Sequence, residues 1–227
     1  MQLFYLALIG LLLFLSLAFL RKWFDSFILI AFSIGAACNA NYYHSFTTPV
    51  TCGNLVFAID SILFTLFLHT IIVKYLHYSL KEAKNMAIAS IVAILISAVI
   101  EFLAKCNSVG YSISLLNNFV NYCISALSSL IGIWLMIMVL EKTKSWNVYV
   151  RIFVAILVGG FIDSTIYYIG VSAAYNLNFS SLWGVLVGSY IGKFYAILLA
   201  QLIYFINGTI WVPTDLKKIN YHNLEGK

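Results

Sequence analysis

Long runs of apolar residues, joined by short polar segments, account for most of this chain. Seven runs can be distinguished: Leu3–Leu20, Phe24–Asn39, Asn54–Leu76, Ala87–Ala104, Ser114–Leu140, Val148–Ala174 and Leu182–Ile206. A helix that crosses the hydrocarbon core of a bilayer needs about 20 mainly apolar residues. The pattern therefore predicts an all-α fold, a polytopic membrane helical bundle with about seven transmembrane helices, or about six if the short second run does not cross. No long linker interrupts the runs, so residues 1–227 are expected to form a single integral membrane domain.

The composition indicates a membrane environment and argues against a nucleic-acid partner. Hydrophobic residues make up 63% of the chain and charged residues only 9%, whereas charged residues make up about 25% of a typical soluble domain. The formal net charge is +5, but the basic residues lie between the apolar runs, where membrane topology places them. The lipid bilayer is therefore an expected partner, and no nucleic acid is expected.

The distribution of basic residues predicts how the chain is inserted. If all the runs cross the membrane and the N-terminus lies outside, Lys105 is the basic residue that falls in an outer loop, and nearly all the others fall on the cytoplasmic side. Positive residues favour the cytoplasmic side of a membrane. The sequence therefore predicts a multi-pass protein of the inner (plasma) membrane, with its N-terminus outside and its C-terminus in the cytoplasm.

Ionisable residues inside the apolar runs are the first candidates for a functional site. Asp163 and Lys193 lie near the middle of the membrane when residues are counted at about 1.5 Å each along a helix. Asp60 and Glu101 lie nearer the outside. Placing a charged side chain inside the membrane costs free energy, and by default such a residue indicates function. We therefore expect these four residues to line one cavity that receives a polar solute. The second interpretation is an Asp163–Lys193 ion pair that only neutralises itself and fixes the register of two helices.

Polar amides at the start of the fifth run add to this candidate site. Asn118 and Asn121 lie there, and an Asn side chain can both donate and accept hydrogen bonds at the edge of a heterocycle. The alternative is a helix entry that headgroups and water solvate. The predicted substrate-binding residues are therefore Asp60, Glu101, Asn118, Asn121, Asp163 and Lys193.

A short internal match suggests that the chain contains a repeat. The tripeptide Ile-Asp-Ser occurs at residues 59–61 and again at residues 162–164. In the predicted topology these two segments cross the membrane in opposite directions. That placement is typical of an inverted repeat, here a 3+3 repeat after the first helix, and secondary transporters often bind substrate at the midplane between such halves.

The seventh run also has a small residue at every fourth position. Residues of this size at this spacing let two backbones approach closely, so the sequence predicts a packing face on this helix. Its members are Gly184, Gly188, Gly192, Ala196 and Ala200.

The sequence lacks the motifs of several enzyme classes. It contains no Walker A sequence, no zinc-binding spacing of His and Cys, and no Gly-x-Ser-x-Gly elbow. An intramembrane aspartyl protease would have Gly-x-Gly-Asp, whereas Gly160-Phe-Ile precedes Asp163. We therefore expect no enzyme activity, no catalytic residue, no metal site and no cofactor.

Cys38, Cys52 and Cys106 all fall near the predicted outer face, and both a disulfide and free thiols are compatible with that position.

Three stretches resemble the vitamin uptake transporter (VUT) family, which includes the bacterial queuosine precursor transporters. Residues 55–60 are similar to the family's apolar run that ends in Ala-Thr-Asp, and residues 116–120 are similar to the start of its fifth segment. Residues 160–166, followed by Lys193, resemble its Asp-Thr signature and its late membrane lysine. The chain departs from the family pattern at Phe64, where a Glu is usual, and at Asn121, where an Arg is usual.

This resemblance implies a function. It implies a transporter that imports a small heterocyclic solute, namely a queuosine precursor (a 7-deazaguanine such as preQ0 or preQ1) or a related purine-like base or vitamin, with Asp60, Asp163 and Lys193 in contact with the substrate. Three alternatives are left open: a substrate-binding membrane subunit of an ATP-driven (ECF-type) vitamin importer, an intramembrane enzyme and a non-transporting scaffold. A homo-oligomer is compatible with each of them.

Overall fold

The computed structural model describes residues 50–57, 59–109 and 112–208 of the chain. Two of the predicted transmembrane runs, Leu3–Leu20 and Phe24–Asn39, lie outside these residues. The described elements, in chain order, are strands β1 (Val50–Cys52) and β2 (Leu55–Phe57) and helices α1 (Ile59–His77), α2 (Leu80–Val109), α3 (Ile113–Lys142), α4 (Val148–Tyr175) and α5 (Phe179–Gly208). The helices correspond to the last five predicted runs.

The helices of the described part have the length and composition of membrane-spanning segments. Four stretches are long and apolar enough to cross a bilayer: Leu80–Ile100, Ile113–Lys142, Val148–Tyr175 and Leu182–Leu199. Helix α1 contributes a shorter apolar stretch, Ser61–Leu76. The prediction of a mainly helical fold is therefore confirmed, and the four long apolar helices are compatible with a membrane-embedded protein. The full number of crossings and the 3+3 repeat stay predictions.

Successive helices run in opposite directions, so the bundle has two common ends. Gly132 of α3 lies against Gly159 of α4, and Ile124 lies against Gly170. Because the later residue of α3 meets the earlier residue of α4, these two helices are antiparallel. We call the end at which α1 and α3 finish the basic end, and the opposite end, beside the two strands, the hairpin end. The basic end carries Lys81, Lys84, Lys142 and Lys144.

Helix α1 is the central helix of the bundle. Every side chain from Ser61 to Lys74 is buried, and the helix contacts α2, α4 and α5. Its apolar residues cover all sides of the helix, as expected of a helix inside a protein core. Phe67 and Ile71 join Met136 of α3 and Ile156 of α4 in that core. The polar residues of α1 therefore lie inside the protein.

Polar residues in the connections determine where two of the helices begin and end. The Ser112 hydroxyl accepts a hydrogen bond from the backbone N–H of Leu115 at the start of α3, and the Asn147 side chain accepts one from Tyr149 at the start of α4. These bonds satisfy backbone N–H groups that have no partner within the helix. Helix α4 is capped at its end by Asn176. The φ of Asn176 is 52°, a left-handed conformation that Asn tolerates at helix ends.

The third predicted run begins as a β-hairpin, which corrects the sequence analysis. A helix was expected from Asn54, but Asn54 lies in a turn and Leu55–Phe57 is a strand that pairs antiparallel with β1. The loop residue Gly53 has a φ of 58°, and Gly-Asn is a typical sequence for tight hairpin turns. Valine, threonine and phenylalanine around the turn favour strands. Helix α1 therefore begins only at Ile59.

The hairpin packs on α5 through the small-residue face predicted from the sequence. A Cβ atom added to Gly184 would overlap the backbone oxygen of Asn54, and one added to Gly188 would overlap the backbone oxygen of Val56. Only glycine fits at these two positions. The predicted packing face is therefore present, but along this part of α5 its partner is the backbone of the hairpin and not a second helix.

The variant Gly132→Ala should destabilise the bundle. An added Cβ would lie 2.6 Å from the carbonyl oxygen of Gly159 and 3.0 Å from the Cβ of Asp163. Overpacking of this kind costs about 1–3 kcal/mol, so the midpoint temperature of unfolding in detergent should fall. Gly160→Ala is the matched control, because its Cβ would meet the flexible side chain of Lys193 at 3.4 Å. Equal unfolding temperatures for the two variants would contradict the close contact of α3 and α4.

Candidate functional site

An ion pair lies at half height in the bundle, between α4 and α5. The Nζ atom of Lys193 is 2.6 Å from Oδ2 of Asp163. Lys193 is 3% exposed and Asp163 is 7% exposed. Both residues lie about 20 Å from the start of their own helix, at 1.5 Å per residue. We call Asp163–Lys193 the buried ion pair, and it joins two of the residues that the sequence analysis predicted.

Two serines of α3 complete the hydrogen bonds of the acid. The hydroxyls of Ser128 and Ser129 each donate to Oδ1 of Asp163, at 3.1 Å. The carboxylate therefore accepts from three side chains, which spreads its negative charge over donors on α3 and α5. The sequence analysis missed both serines. The available signal was a pair of adjacent polar residues in the middle of an apolar run.

The ammonium group of Lys193 has partners on two further sides. It donates to the carbonyl oxygen of Gly160 at 2.9 Å, and it lies 4.5 Å from the ring centroid of Phe64. A cation over an aromatic face is attracted by the electrons of the ring, more strongly where water is excluded. Position 64, where the resembled family usually has a Glu, therefore presents an aromatic face to the lysine in this chain.

The two matching tripeptides meet beside the ion pair. The hydroxyl of Ser189 on α5 is 2.9 Å from that of Ser164 and 3.1 Å from that of Ser61. We call this chain of hydroxyls, Ser61–Ser189–Ser164, the serine bridge. It places the first turn of α1 at the level of the ion pair, because Ser164 directly follows Asp163. The backbone of Asp60 directly precedes Ser61, so the second predicted acid belongs to the turn that reaches this level.

The other predicted residues lie outside the hydrogen bonds of the pair. Asp60 and Glu101 are in helices α1 and α2, and their side chains fall outside the described residues. Asn118 is exposed and Asn121 is partly buried, and Asn121 lies about 10 Å along α3 from Ser128. The side-chain oxygen of Asn121 is buried without a hydrogen-bond partner in the described part of the chain.

A second charged network closes the basic end. Arg151 is 5% exposed, and its guanidinium donates to the carbonyl of Leu140 at 2.8 Å and to the hydroxyl of Tyr75 at 2.6 Å. The Tyr75 hydroxyl in turn donates to Glu141, which also pairs with Lys144. The network ties α1, α3 and α4 together. The sequence analysis counted Arg151 as a cytoplasmic charge, and its burial depends on a packing that periodicity does not reveal.

The described residues do not bring metal ligands together. Among them, no group of three or more His, Cys, Asp or Glu side chains is placed to hold a metal ion. The described cysteines, Cys52, Cys106 and Cys123, are free thiols, while Cys38 lies outside the described residues. The buried ion pair and its serines offer hydrogen bonding and charge pairing at half height in an apolar bundle.

Comparisons with family models, with curated proteins and with solved structures give no match for this chain. The resemblance to vitamin and queuosine precursor transporters therefore stays a prediction that rests on the sequence stretches themselves.

Removal of one partner of the buried ion pair should destabilise the protein more than removal of both. Breaking a buried pair by removing one partner costs about 3–5 kcal/mol, whereas replacement of both by apolar residues is often neutral. Lys193→Met should therefore lower the free energy of unfolding, and adding Asp163→Leu should restore part of it. The measurement is a double-mutant cycle from denaturant unfolding in detergent. A double variant whose loss equals the sum of the single losses would show that the two charges are not coupled.

Proposed function

We propose that this protein is a membrane transporter that imports a small heterocyclic solute, and that the buried ion pair is its binding centre. The most concrete candidate is a queuosine precursor, a 7-deazaguanine such as preQ0 or preQ1, or a related base or vitamin. The proposal assigns substrate contacts to Asp163 and Lys193, with Asp60, Glu101, Asn118 and Asn121 as candidates along the same route. It assigns no catalytic residue.

The observation that carries the proposal is a charged pair held at half height in apolar helices. Apolar residues of similar volume would hold α4 and α5 together at least as well as an ion pair, because both charges must give up water to enter the bundle. Charged residues within membrane segments usually mark the path of a substrate or an ion. The pair is therefore better explained by a polar solute than by stability alone.

The geometry of the pair suggests how a solute binds. A deazapurine presents N–H donors next to a carbonyl acceptor. Such an edge can donate to Asp163 and accept from Lys193, so that each charge exchanges one partner for another and neither is left unpaired. Ser128 and Ser129 hold the carboxylate while the exchange takes place. Phe64, which lies against the ammonium group, is an aromatic surface on which a planar ring can stack.

The direction of the helices is compatible with alternating access. Helices α1 and α4 carry the two matching tripeptides and run in opposite directions, since Tyr75 near the end of α1 meets Arg151 near the start of α4. In transporters with inverted repeats, one half rocks against the other around a central site. The proposal therefore includes the 3+3 repeat, with the serine bridge at the contact between its halves.

The remaining parts of the proposal concern location and energy. We place the protein in the inner (plasma) membrane as a multi-pass protein, with the basic end in the cytoplasm and the N-terminus outside, because positive residues favour the cytoplasmic face. A homo-oligomer is compatible with the lipid-exposed helices. In this proposal the chain transports by itself, whereas an ECF-type subunit requires an ATP-driven partner.

A second candidate role is supported by the completeness of the pairing. Asp163 has three donors, and Lys193 has two acceptors and an aromatic contact. A pair with this many partners is also compatible with a non-transporting scaffold, in which its role is to fix the register of α4 and α5. The two roles differ in whether the unchanged protein takes up a solute, since a scaffold transports none.

Asp163→Asn should strongly reduce uptake of the solute while the protein still inserts into the membrane. The variant keeps the size of the side chain but loses the charge that receives the N–H groups of the solute. A hydrogen bond to a charged group is worth about 1.5–3 kcal/mol, which corresponds to a roughly 10- to 150-fold loss of affinity. The measurement is uptake of labelled preQ1 into cells, with the amount of protein in the membrane determined in parallel.

Glu82→Gln is the matched control for this experiment. It makes the same chemical change in a carboxylate that pairs with Lys74 near the basic end, at 3.5 Å, far from the buried ion pair. The control should transport like the unchanged protein. Normal uptake by Asp163→Asn would reject the proposed site. No uptake by the unchanged protein, with normal insertion, would favour the scaffold.

Purified protein in lipid vesicles should take up the solute with no second protein present. Alternating access by a single chain needs only a gradient of the solute or of an ion. The measurement is accumulation of labelled preQ1 in vesicles that contain this chain alone. Solute binding without accumulation would instead support the ATP-dependent subunit.

A further inference from the structure

The bundle closes the buried ion pair off from the basic end with a thick, fully packed layer. Helix α4 extends about 22 Å from Asp163 to its start at that end, at 1.5 Å per residue. Beyond this layer, the network of Arg151, Tyr75 and Glu141 ties three helices together. The side chains that fill the layer are all 0% exposed: Phe67, Leu68, Ile71, Met136 and Ile156.

The side toward the hairpin end is built differently. Helix α1 begins at the level of the ion pair, where Ser61 of its first turn joins the serine bridge. It therefore does not extend toward the hairpin end. Helices α4 and α5 continue past this level by about 15 Å. Along this extra length, the position next to α5 is taken by the hairpin. Its turn residue Asn54 lies on Gly184, and Val56 of strand β2 lies on Gly188. A three-residue strand therefore stands where a longer α1 would otherwise pack.

Among the described residues, the hairpin is held by a short strand pairing and by its contact with α5. Strands β1 and β2 have three residues each, and an isolated two-stranded hairpin is marginally stable at best. Residues 51–54 are exposed and residues 55–57 are only partly buried. At Gly184 and Gly188 of α5, the contact is made by backbone oxygens of the hairpin against residues that have no side chain. In the part of the chain that the structure describes, no side chain at positions 184 and 188 therefore opposes a shift of the hairpin off α5.

We propose that the β1–β2 hairpin is a lid over the buried ion pair, and that it moves off Gly184 and Gly188 to admit the solute from the hairpin end. Only residues 58–60 separate β2 from Ser61, so movement of the lid pulls Ser61 away from Ser189 and opens the serine bridge. The packed layer at the basic end stays closed meanwhile. This inference rests on the proposed function, because a lid has a role only over a site that binds.

The test places a reactive probe under the lid. Ser164 is 3% exposed, so the thiol of a Ser164→Cys variant reports on opening of the serine bridge. The four native cysteines, Cys38, Cys52, Cys106 and Cys123, are changed to Ser in this background. The protein is placed in vesicles, and a membrane-impermeant methanethiosulfonate reagent is added on one side at a time.

The thiol should react from the hairpin side and not from the basic side. Adding Gly188→Ala should speed the reaction by at least about tenfold, because the new Cβ displaces β2 and shifts the lid equilibrium by about 1.4 kcal/mol or more. Gly192→Ala is the matched control on the same helix face. Its added Cβ would lie 3.4 Å from the side chain of Ser61, which is ordinary contact, so the reaction rate should stay within about twofold of the parent.

Three outcomes would overturn the lid. They are reaction of the Ser164→Cys thiol from the basic side, no reaction from either side, and equal rates for the Gly188→Ala and Gly192→Ala proteins. If Gly188→Ala fails to insert, the side preference of the single probe decides alone. The labelling reaction needs no solute, so the two proposals can be rejected separately. Labelling from the hairpin side alone, with no solute binding, would reject the proposed function. Solute binding with equal labelling from both sides would reject the lid.

Discussion

The pairing of one carboxylate with one ammonium group in the middle of the bundle governs the rest of the structure. Asp163 and Lys193 belong to different helices and are buried in apolar surroundings. Either charge alone would be strongly unfavourable there, so α4 and α5 are bound to a single register. The serines at positions 128 and 129 extend this constraint to α3, and the serine bridge extends it to α1. Four of the five described helices thus meet at one polar centre.

Close backbone contacts make this centre possible. The hydrogen bonds from Ser128 and Ser129 of α3 to Asp163 require α3 and α4 to approach closely. Gly132 and Gly159 allow that approach. On the other side, Gly184 and Gly188 admit the hairpin backbone next to α5. The same residue type therefore serves two purposes. Between helices it gives a rigid contact, whereas under the hairpin it gives a contact from which a short strand can detach. This asymmetry links the packing of the bundle to the direction in which a solute is expected to enter.

Some features of this structure can be predicted from residue type and run length alone, whereas others depend on how the helices pack. The helices α1–α5 follow from run length, and Asp163 and Lys193 are conspicuous because charge is rare in apolar runs. Ser128, Ser129 and Ser189 are not conspicuous, since a serine in a helix can also bond its own backbone, and only the rotation of each helix decides which way it faces. The hairpin was missed because residues 54–57 continue an apolar run, although Gly53-Asn54 was a turn signal. Asn118 was chosen for its chemistry, and its exposure could not be read from composition.

The central claim is that a bound solute lies between Asp163 and Lys193. It bonds to each of the two groups in place of the other group. The most direct measurement is an experimental structure of the protein saturated with preQ1 or a related deazapurine. The account predicts density for a planar ring between Asp163 and Lys193, with their 2.6 Å contact lengthened and with each group bonded to the ring. An unchanged contact in the presence of saturating solute, with no ring at that level of the bundle, would contradict it.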